Sequence, residues 1–490
     1  MSFNVIKLGQ LLATLTDYHA NGAYKALKEN VELLDTPDYA LMIRTTNFEN
    51  DDFTDSVKYI SKSAYDFLSK SKVYPTDIIM NKIANAGSVY LMPDLSRPVS
   101  LAMNLFLLRV DNNKANPIYV YIFLKINESY VKQFANGSVT KTITKDAVRN
   151  LDIVLPPRTE QDKIARSYQI ISNKINNNNK INQTLEQMAQ ALFKSWFVDF
   201  EPVKAKITAL EAGGSQEDAM LAAMTAISGK DADALAVFER EHPEQYAELK
   251  ATAGLFPSAM QESELGDIPE GWKFQPFGEL LSHTIGGDWG KDESDDKHKM
   301  PVRIIRGTDI PNIKSCQDSN VPFRYVEEKK LKTRSLNAGD IVIEVSGGSP
   351  TQPTGRSIYV TDEILKRLSL PVEPASFCRL FRPKSMELGM VLGLYLEKIY
   401  QDGKMWLYQN QSTGISNFQT KVFLENEIVA VAPSEILKAF YKISLPYVKL
   451  MRSSENIKLA QLRDALLPKL LSGEITLPEA EQAVSEAENV

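Results

Sequence analysis

The sequence predicts an α+β protein in which two similar globular domains are separated by two long antiparallel coiled-coil helices. Three observations in its 490 residues carry this expectation. Four short blocks recur in the same order a whole domain apart, a pattern of duplication and not of a solenoid. Each set of blocks ends at a proline. Behind each proline, apolar residues take up the alternating three- and four-residue steps of a helical seam.

The first copy spans 1–157, and its blocks are LMIRTTNF (41–48), TDIIMNKIANAG (76–87), LAMNLFLLRV (101–110) and LDIVLPP (151–157). They are echoed by RIIRGTDI (303–310), GDIVIEVSGG (339–348), PASFCRLFRP (374–383) and EIVAVAP (427–433) in a second copy spanning 265–433. The second block of each copy runs from an acidic turn through an alternating strand into a glycine-bearing loop.

After Pro157 a helix is expected over 158–200, with Thr159 as its N-cap and Asp162 in its first turn. Ile164, Tyr168, Ile171, Ile175, Asn178, Asn182, Leu185, Ala189, Leu192 and Trp196 then follow heptad steps without a break. The asparagine-rich stretch SNKINNNNKINQ therefore lies inside the helix, although asparagine favours caps and turns. From Ile164 to Trp196 the seam runs about 48 Å at ~1.5 Å per residue. Asn178 and Asn182 are expected to face the partner helix and fix register through hydrogen bonds, at some cost in stability. Asn173, Asn176, Asn177 and Asn179 fall around them.

Residues 201–264 read as an acidic, Ala-rich helical insertion, with 5 Lys and Arg against 12 Asp and Glu. The distal helical segment, 434–475, places Leu459, Leu462 and Leu466 at the spacing of Leu185, Met188 and Leu192. It is expected to be interrupted at Pro468 and to end at Gly473. The polar tail 476–490 should fray.

The net charge of −6 is carried by the insertion, so it neither indicates nor excludes a nucleic-acid partner. No apolar run reaches a membrane span, and the start MSFNVIKLGQ lacks the segments of a signal peptide, so a cytoplasmic protein without membrane association is expected. Cys316 and Cys378 are too few for a disulfide framework or a thiolate cluster. His19, His242, His283 and His298 lack ligand spacing. No metal or cofactor is therefore expected in this chain.

No catalytic constellation emerges either. Pro156 and Pro157 lack the Asn or Asp and the aromatic residue of an amino-methyltransferase loop. Asp340 and Glu344 look superficially like a nuclease pair, but no lysine follows at the usual spacing and the first copy has Asp77 with Asn81. Structural turn residues are the better reading. SGGSPTQPTG lacks the Gly-Lys-Ser/Thr of a phosphate loop and reads as a connection between strands.

What remains is a binding architecture. Duplicated domains on a long spacer suit a ligand with two separated sites, and double-stranded DNA offers successive major grooves every ~34 to 36 Å on one face. Arg44, Asn47, Lys82, Asn85, Arg306, Asp309, Gln352 and Arg356 are the loop residues with the chemistry to read base edges. Each could equally be a solvated or phosphate-contacting residue. A tandem-domain adaptor that binds polypeptide through the same loops is the competing reading, favoured by the acidic insertion.

The region LPPRTEQDKIARSYQIISNKINNNNKINQTLEQMAQALFKSWFVDFEPV resembles the central conserved region of the specificity subunits of type I restriction-modification enzymes. FPS with SELGDIPEGW resembles that family's entry into its second recognition domain, and LAQLRDALLPKLLSGEI its distal conserved region. Within this pattern Pro468 is a family feature. The resemblance implies two target recognition domains, each reading half of an asymmetric bipartite DNA sequence, with the conserved helices setting the gap. It also implies two modification subunits bound to those helices, which methylate adenine with S-adenosylmethionine. A restriction subunit using ATP and magnesium joins in some assemblies. The chain itself would be the non-catalytic part that decides where the enzyme acts.

Overall fold

The structure, a computed structural model, describes residues 4–49, 52–54, 57–137, 140–347, 352–412, 415–453 and 455–472. It divides into two compact units, 1–175 with 458–490 and 176–457.

In the first unit the strands Leu12–Asp17, Leu105–Val110, Ile78–Asn81 and Val89–Leu91 form an antiparallel sheet in that order. A second sheet is built from Lys58–Ile60, Ala40–Ile43, Val99–Leu101 and Lys72–Val73, with Ala40–Ile43 and Val99–Leu101 parallel. Asn4–Lys7 pairs with Asp152–Leu155 and brings the ends of the copy together. Because successive side chains point to opposite faces, the central strands carry apolar residues on both faces. Ile78, Met80, Phe106 and Leu108 enter one core, and Ile79, Leu105 and Leu107 enter another.

The second unit repeats this plan. Leu281–Gly286, Cys378–Pro383, Ile341–Glu344 and Ser357–Tyr359 form the antiparallel sheet. Phe323–Glu327, His298–Ile305 and Val372–Pro374 form the mixed one, again with one parallel pair. Lys273–Pro276 pairs with Ile428–Val431. Ile341, Ile343 and Phe381 pack to one side, Val342 and Leu380 to the other. The four repeated sequence blocks thus fall on corresponding strands. The copies differ in detail among the described residues: the mixed sheet has four strands in the first unit and three in the second, and Ser346–Gly347, Ile415–Phe418 and Gln409–Ser412 make a three-stranded ribbon in the second unit. Among the described residues the first unit has isolated bridges there, Ile83 with Thr142 and Asn136 with Thr142. Residues 348–351 of the loop SGGSPTQPTG lie outside the described residues.

A single helix, Arg158–Phe197, contains the whole asparagine-rich stretch. It starts at Arg158, so Thr159 lies within its first turn and does not cap it. The turn is fixed instead by Arg158 and Asn116, which both donate to the Asp162 carboxylate, at 2.7 and 2.8 Å. The distal segment is two helices, Ser434–Met451 and Glu455–Ser472. Pro468 does not interrupt the second of these. A proline without an N–H withdraws one hydrogen bond, and the rest of the helix carries on past it. Gly473 and the tail 476–490 lie outside the described residues.

Contacts along the helices establish their pairing. Ile164 and Ala165 share the first unit's core with Leu467 and Leu470. In the second unit Asn178 meets Asn456. Partner numbers fall along one helix as they rise along the other, so the two run antiparallel. Residues 201–254 form four helices, Glu201–Glu211, Gln216–Ser228, Ala232–Glu241 and Pro243–Gly254, around a small core of Ala223, Met224, Leu235 and Ala253. No helix of the described residues is long and apolar enough to cross a membrane.

Candidate nucleic-acid interface

In each copy a buried aspartate at the entry to the central strand is held in an arginine ion pair, built alike in the two copies. Arg109 donates from Nε and Nη2 to Asp77 at 2.8 and 2.6 Å, and also to the Lys72 carbonyl at 3.1 Å. Arg382 donates to Asp340 at 2.8 and 2.7 Å, and to the Ser335 carbonyl at 2.9 Å. The same aspartates accept the backbone N–H of Tyr74 and Asn337 at 2.8 and 2.7 Å. A bidentate, charge-assisted pair of this kind fixes the entry into the central strand. Asp340 is therefore saturated by arginine and backbone. Glu344 is held in the same manner by Arg356, whose Nε lies 2.8 Å away. Both carboxylates of the superficial nuclease pair thus have structural partners, Asp340 in the turn and Glu344 at the end of the strand instead of in a turn. Among the described residues no group of three or more His, Cys, Asp or Glu side chains is placed to hold a metal ion.

The loop residues with base-reading chemistry separate by burial. Asn47 and Asp309 are each only 2% exposed. Their oxygens turn inward and accept the backbone N–H of Arg44 and Arg306, both at 2.9 Å, closing the turn of the first repeated block. The Arg306 guanidinium lies on the same Asp309 carboxylate, at 2.9 and 2.7 Å. Asn85 and Gln352 are exposed. Lys82 reaches Asp17 at 3.3 Å, where Lys145 also donates at 3.0 Å. Burial pushes the Asp17 carboxyl up, but the ammonium groups of Lys145 and Lys82 outweigh it and leave its pKa below the ordinary value. Both ammoniums also lie over the Phe106 ring, 5.5 and 5.9 Å from its centroid. Arg356 and Gln352 line a pocket of about 220 Å³ with Lys314, Ser357 and Tyr400.

Sequence reasoning did not find Asp17, Lys145 or Phe377. The first two approach Lys82 only through folding. Phe377, 66% exposed, sits in the turn whose carbonyl accepts the Val345 N–H at 2.9 Å. An aromatic at the tip of a tight turn was the one available signal.

The helical seam is buried in the expected rhythm: Ile164, Ile171, Ala189 and Trp196 are buried, and Ile175, Asn178, Asn182, Leu185 and Leu192 half-buried. Met188 falls off the seam and is 46% exposed. On the distal helix Leu459 is buried, with Leu462 and Leu466 half-buried. Asn178 donates to Asn456 at 2.9 Å, and Asn456 donates in turn to Asn179 at 2.8 Å. Asn182 borders the same polar pocket, about 180 Å³ in volume. The helix's far end is fixed by aromatics. Trp196 packs on Phe256 with ring centroids 4.9 Å apart, and Phe197 on Phe440 and Trp272 at 4.9 and 5.5 Å. Residues of three separate family motifs, WF, FPS and EGW, thus meet in one core.

Comparisons with known proteins agree. Residues 4–187 match the family model of the type I restriction modification DNA specificity domain. The chain is 31% identical over 438 residues to the type I restriction enzyme HindI specificity subunit of Haemophilus influenzae, covering 83% of this chain and 88% of that protein. It is 24% identical over 370 residues to the MjaIX specificity subunit of Methanocaldococcus jannaschii, covering 74% and 69%. A crystal structure of a type I S subunit from M. genitalium covers 96% of both chains at 13% identity and a TM-score of 0.46, too slight a likeness to argue from. On the strength of the Haemophilus relative, the chain belongs to the specificity subunits of type I restriction-modification enzymes.

Proposed function

We propose that the two copies read the two halves of an asymmetric, bipartite site in double-stranded DNA, and that the paired helices set the gap between the halves. The observation that supports this most is a duplicated scaffold whose loop chemistry differs between copies at matching positions. Identical clamps with unlike loops suit one mode of docking applied to two sequences. The chain performs no chemistry of its own. Two modification subunits bind it and methylate adenine with S-adenosylmethionine, and a restriction subunit using ATP and magnesium completes the complex where one is present.

Methylome sequencing of a host that expresses this chain with its modification partner tests the proposal. A split motif that depends on this chain is expected. A continuous motif, or none, would refute it. Affinity for DNA should also fall steeply between low and moderate salt as counterions are released, whereas a polypeptide adaptor would show no such slope. Inserting a whole helical turn or two after Leu185 should lengthen the gap and leave both half-sites unchanged. Half-sites that change with the insertion would end the role of the helices as a ruler.

A further inference from the structure

Glu344 closes the central strand of the second copy and is 2% exposed. Its carboxylate accepts from Arg356 at Nε, 2.8 Å, and at Nη2. Two glycines approach it from other segments. A Cβ built on Gly307 would lie 2.3 Å from Glu344 Oε1, and one on Gly347 would lie 2.8 Å from it. The turn 306–309, the strand 346–347 and the start of the strand after Arg356 therefore converge on one carboxylate. Gly307 has an ordinary negative-side backbone, so conformation does not require glycine there. The carboxylate is what excludes a side chain.

The first copy solves the same position with opposite sizes. The Asn81 N–H donates to the Ser88 carbonyl at 2.9 Å, as that of Glu344 does to the Arg356 carbonyl at 2.8 Å, which makes Asn81 and Ser88 the counterparts of Glu344 and Arg356. Thr45 stands where the second copy has Gly307, and its Oγ1 lies 3.3 Å from Asn81 Oδ1. A small turn residue over a long acid thus replaces a larger turn residue over a short amide. The charge goes with the arginine.

We infer that Glu344 is a positioning residue for DNA reading by the second copy: it fixes the guanidinium of Arg356 by its Nε edge and directs the opposite edge into the pocket shared with Gln352. That opposite edge retains the paired N–H groups that suit a guanine. The first copy, with Asn81, uses no such charge. This inference rests on the proposal that the second copy reads a half-site.

The experiment uses the full chain with its modification partner. For Glu344→Gln, nearly isosteric, discrimination against single mismatches in the second half-site should fall roughly ten-fold or more. Discrimination in the first half-site and the gap should stay unchanged. Glu344→Asn combined with Gly307→Thr transplants the first copy's packing without the charge, and should remain relaxed. Recovery by this double variant would reduce Glu344 to a packing role and overturn the inference. Unchanged discrimination in Glu344→Gln would overturn it as well, as would equal losses in both half-sites. Failure of the unaltered chain to give any split motif would instead remove the underlying proposal, and this inference with it.

Discussion

The two globular copies share their clamps and differ at other matching positions. Asp77 with Arg109 and Asp340 with Arg382 make the same contacts to the same backbone positions. Yet elsewhere the first copy places Asn81, Lys82 and Ser100 where the second places Glu344, Val345 and Glu373. Duplication has kept the groups that fix the backbone and varied the groups that line the loops. The difference separates what the scaffold needs from what a target would need.

The largest effect should come from breaking a clamp. In Arg382→Met, Asp340 would be left with a side chain 3% exposed and no cation, and Arg109→Met would do the same to Asp77, 4% exposed. A stranded buried charge costs about 3 kcal/mol or more, even with the arginine itself partly open to water. The comparison predicts equal losses in the two copies. All four tryptophans, at 196, 272, 289 and 406, lie in the second unit. Denaturant unfolding followed by tryptophan fluorescence should thus register Arg382→Met, and hydrogen exchange at 78–81 should register Arg109→Met. A large inequality would mean that the clamps are alike in geometry only.

The next effect belongs to the second copy alone. Glu373 is fully buried, and among the described residues neither carboxylate oxygen has a hydrogen-bond partner. Burial, reinforced by the charge of Asp288, raises its pKa to about 7 against the opposing pull of Arg334 and Lys330. At the matching place in the first copy Ser100 meets Ser71 at 3.2 Å, a neutral pair. From an unfolded value of 4.5 up to about 7, the folded protein keeps a proton that the unfolded chain releases. Stability should therefore fall as pH rises through that window and level off above it. Glu373→Gln should flatten the profile and gain on the order of 2 kcal/mol at pH 8. A profile unchanged by the substitution would show that Glu373 finds a partner in solution.

Much of the fold was legible in the sequence because its signals are local. Strand blocks show as short apolar runs bounded by turn residues, buried on both faces and not alternating, and the long helix in unbroken heptad steps that outweigh the poor propensity of six asparagines. The partner of Asn178 was not legible. Asn456 lies on the far helix, and nothing in the local sequence pairs them. The candidate site was read least well for a physical reason. A polar residue beside a strand end can face solvent or cap its own turn, and composition does not distinguish the two. Asn47 and Asp309 cap their turns, whereas Asn85 and Gln352 are exposed. The same ambiguity hid Arg109 and Arg382, which look like surface cations on strands and in fact fix the entry to the central strand.

The smallest effect tests the first copy against the second at the sheet edge. Asp17, on the edge strand, faces Phe106 on its neighbour, and the corresponding pair in the second copy is Gly286 with Arg379. The first copy thus balances one carboxylate with Lys82 and Lys145, while the second holds one arginine beside the Thr284 hydroxyl at 2.8 Å, with burial lowering the pKa of that arginine. Asp17 has its pKa below 3.8, so its contribution to stability is present above that value and lost as pH falls through the lower folded one. Lys145→Met removes one of the two cations, which lets burial act on Asp17 and moves that loss to higher pH. At neutral pH the change should be about 0.5 to 1 kcal/mol, since both lysines are partly exposed. Hydrogen exchange across pH 3 to 6 should show earlier opening of the strand at 105–110 in this variant. Arg379→Met should leave acid sensitivity at 378–383 as it was, because among the described residues the partner of Arg379 is the Thr284 hydroxyl and not a carboxylate. Parallel acid responses in the two variants would mean that the edge charges are interchangeable, and that the copies differ less than their residues suggest.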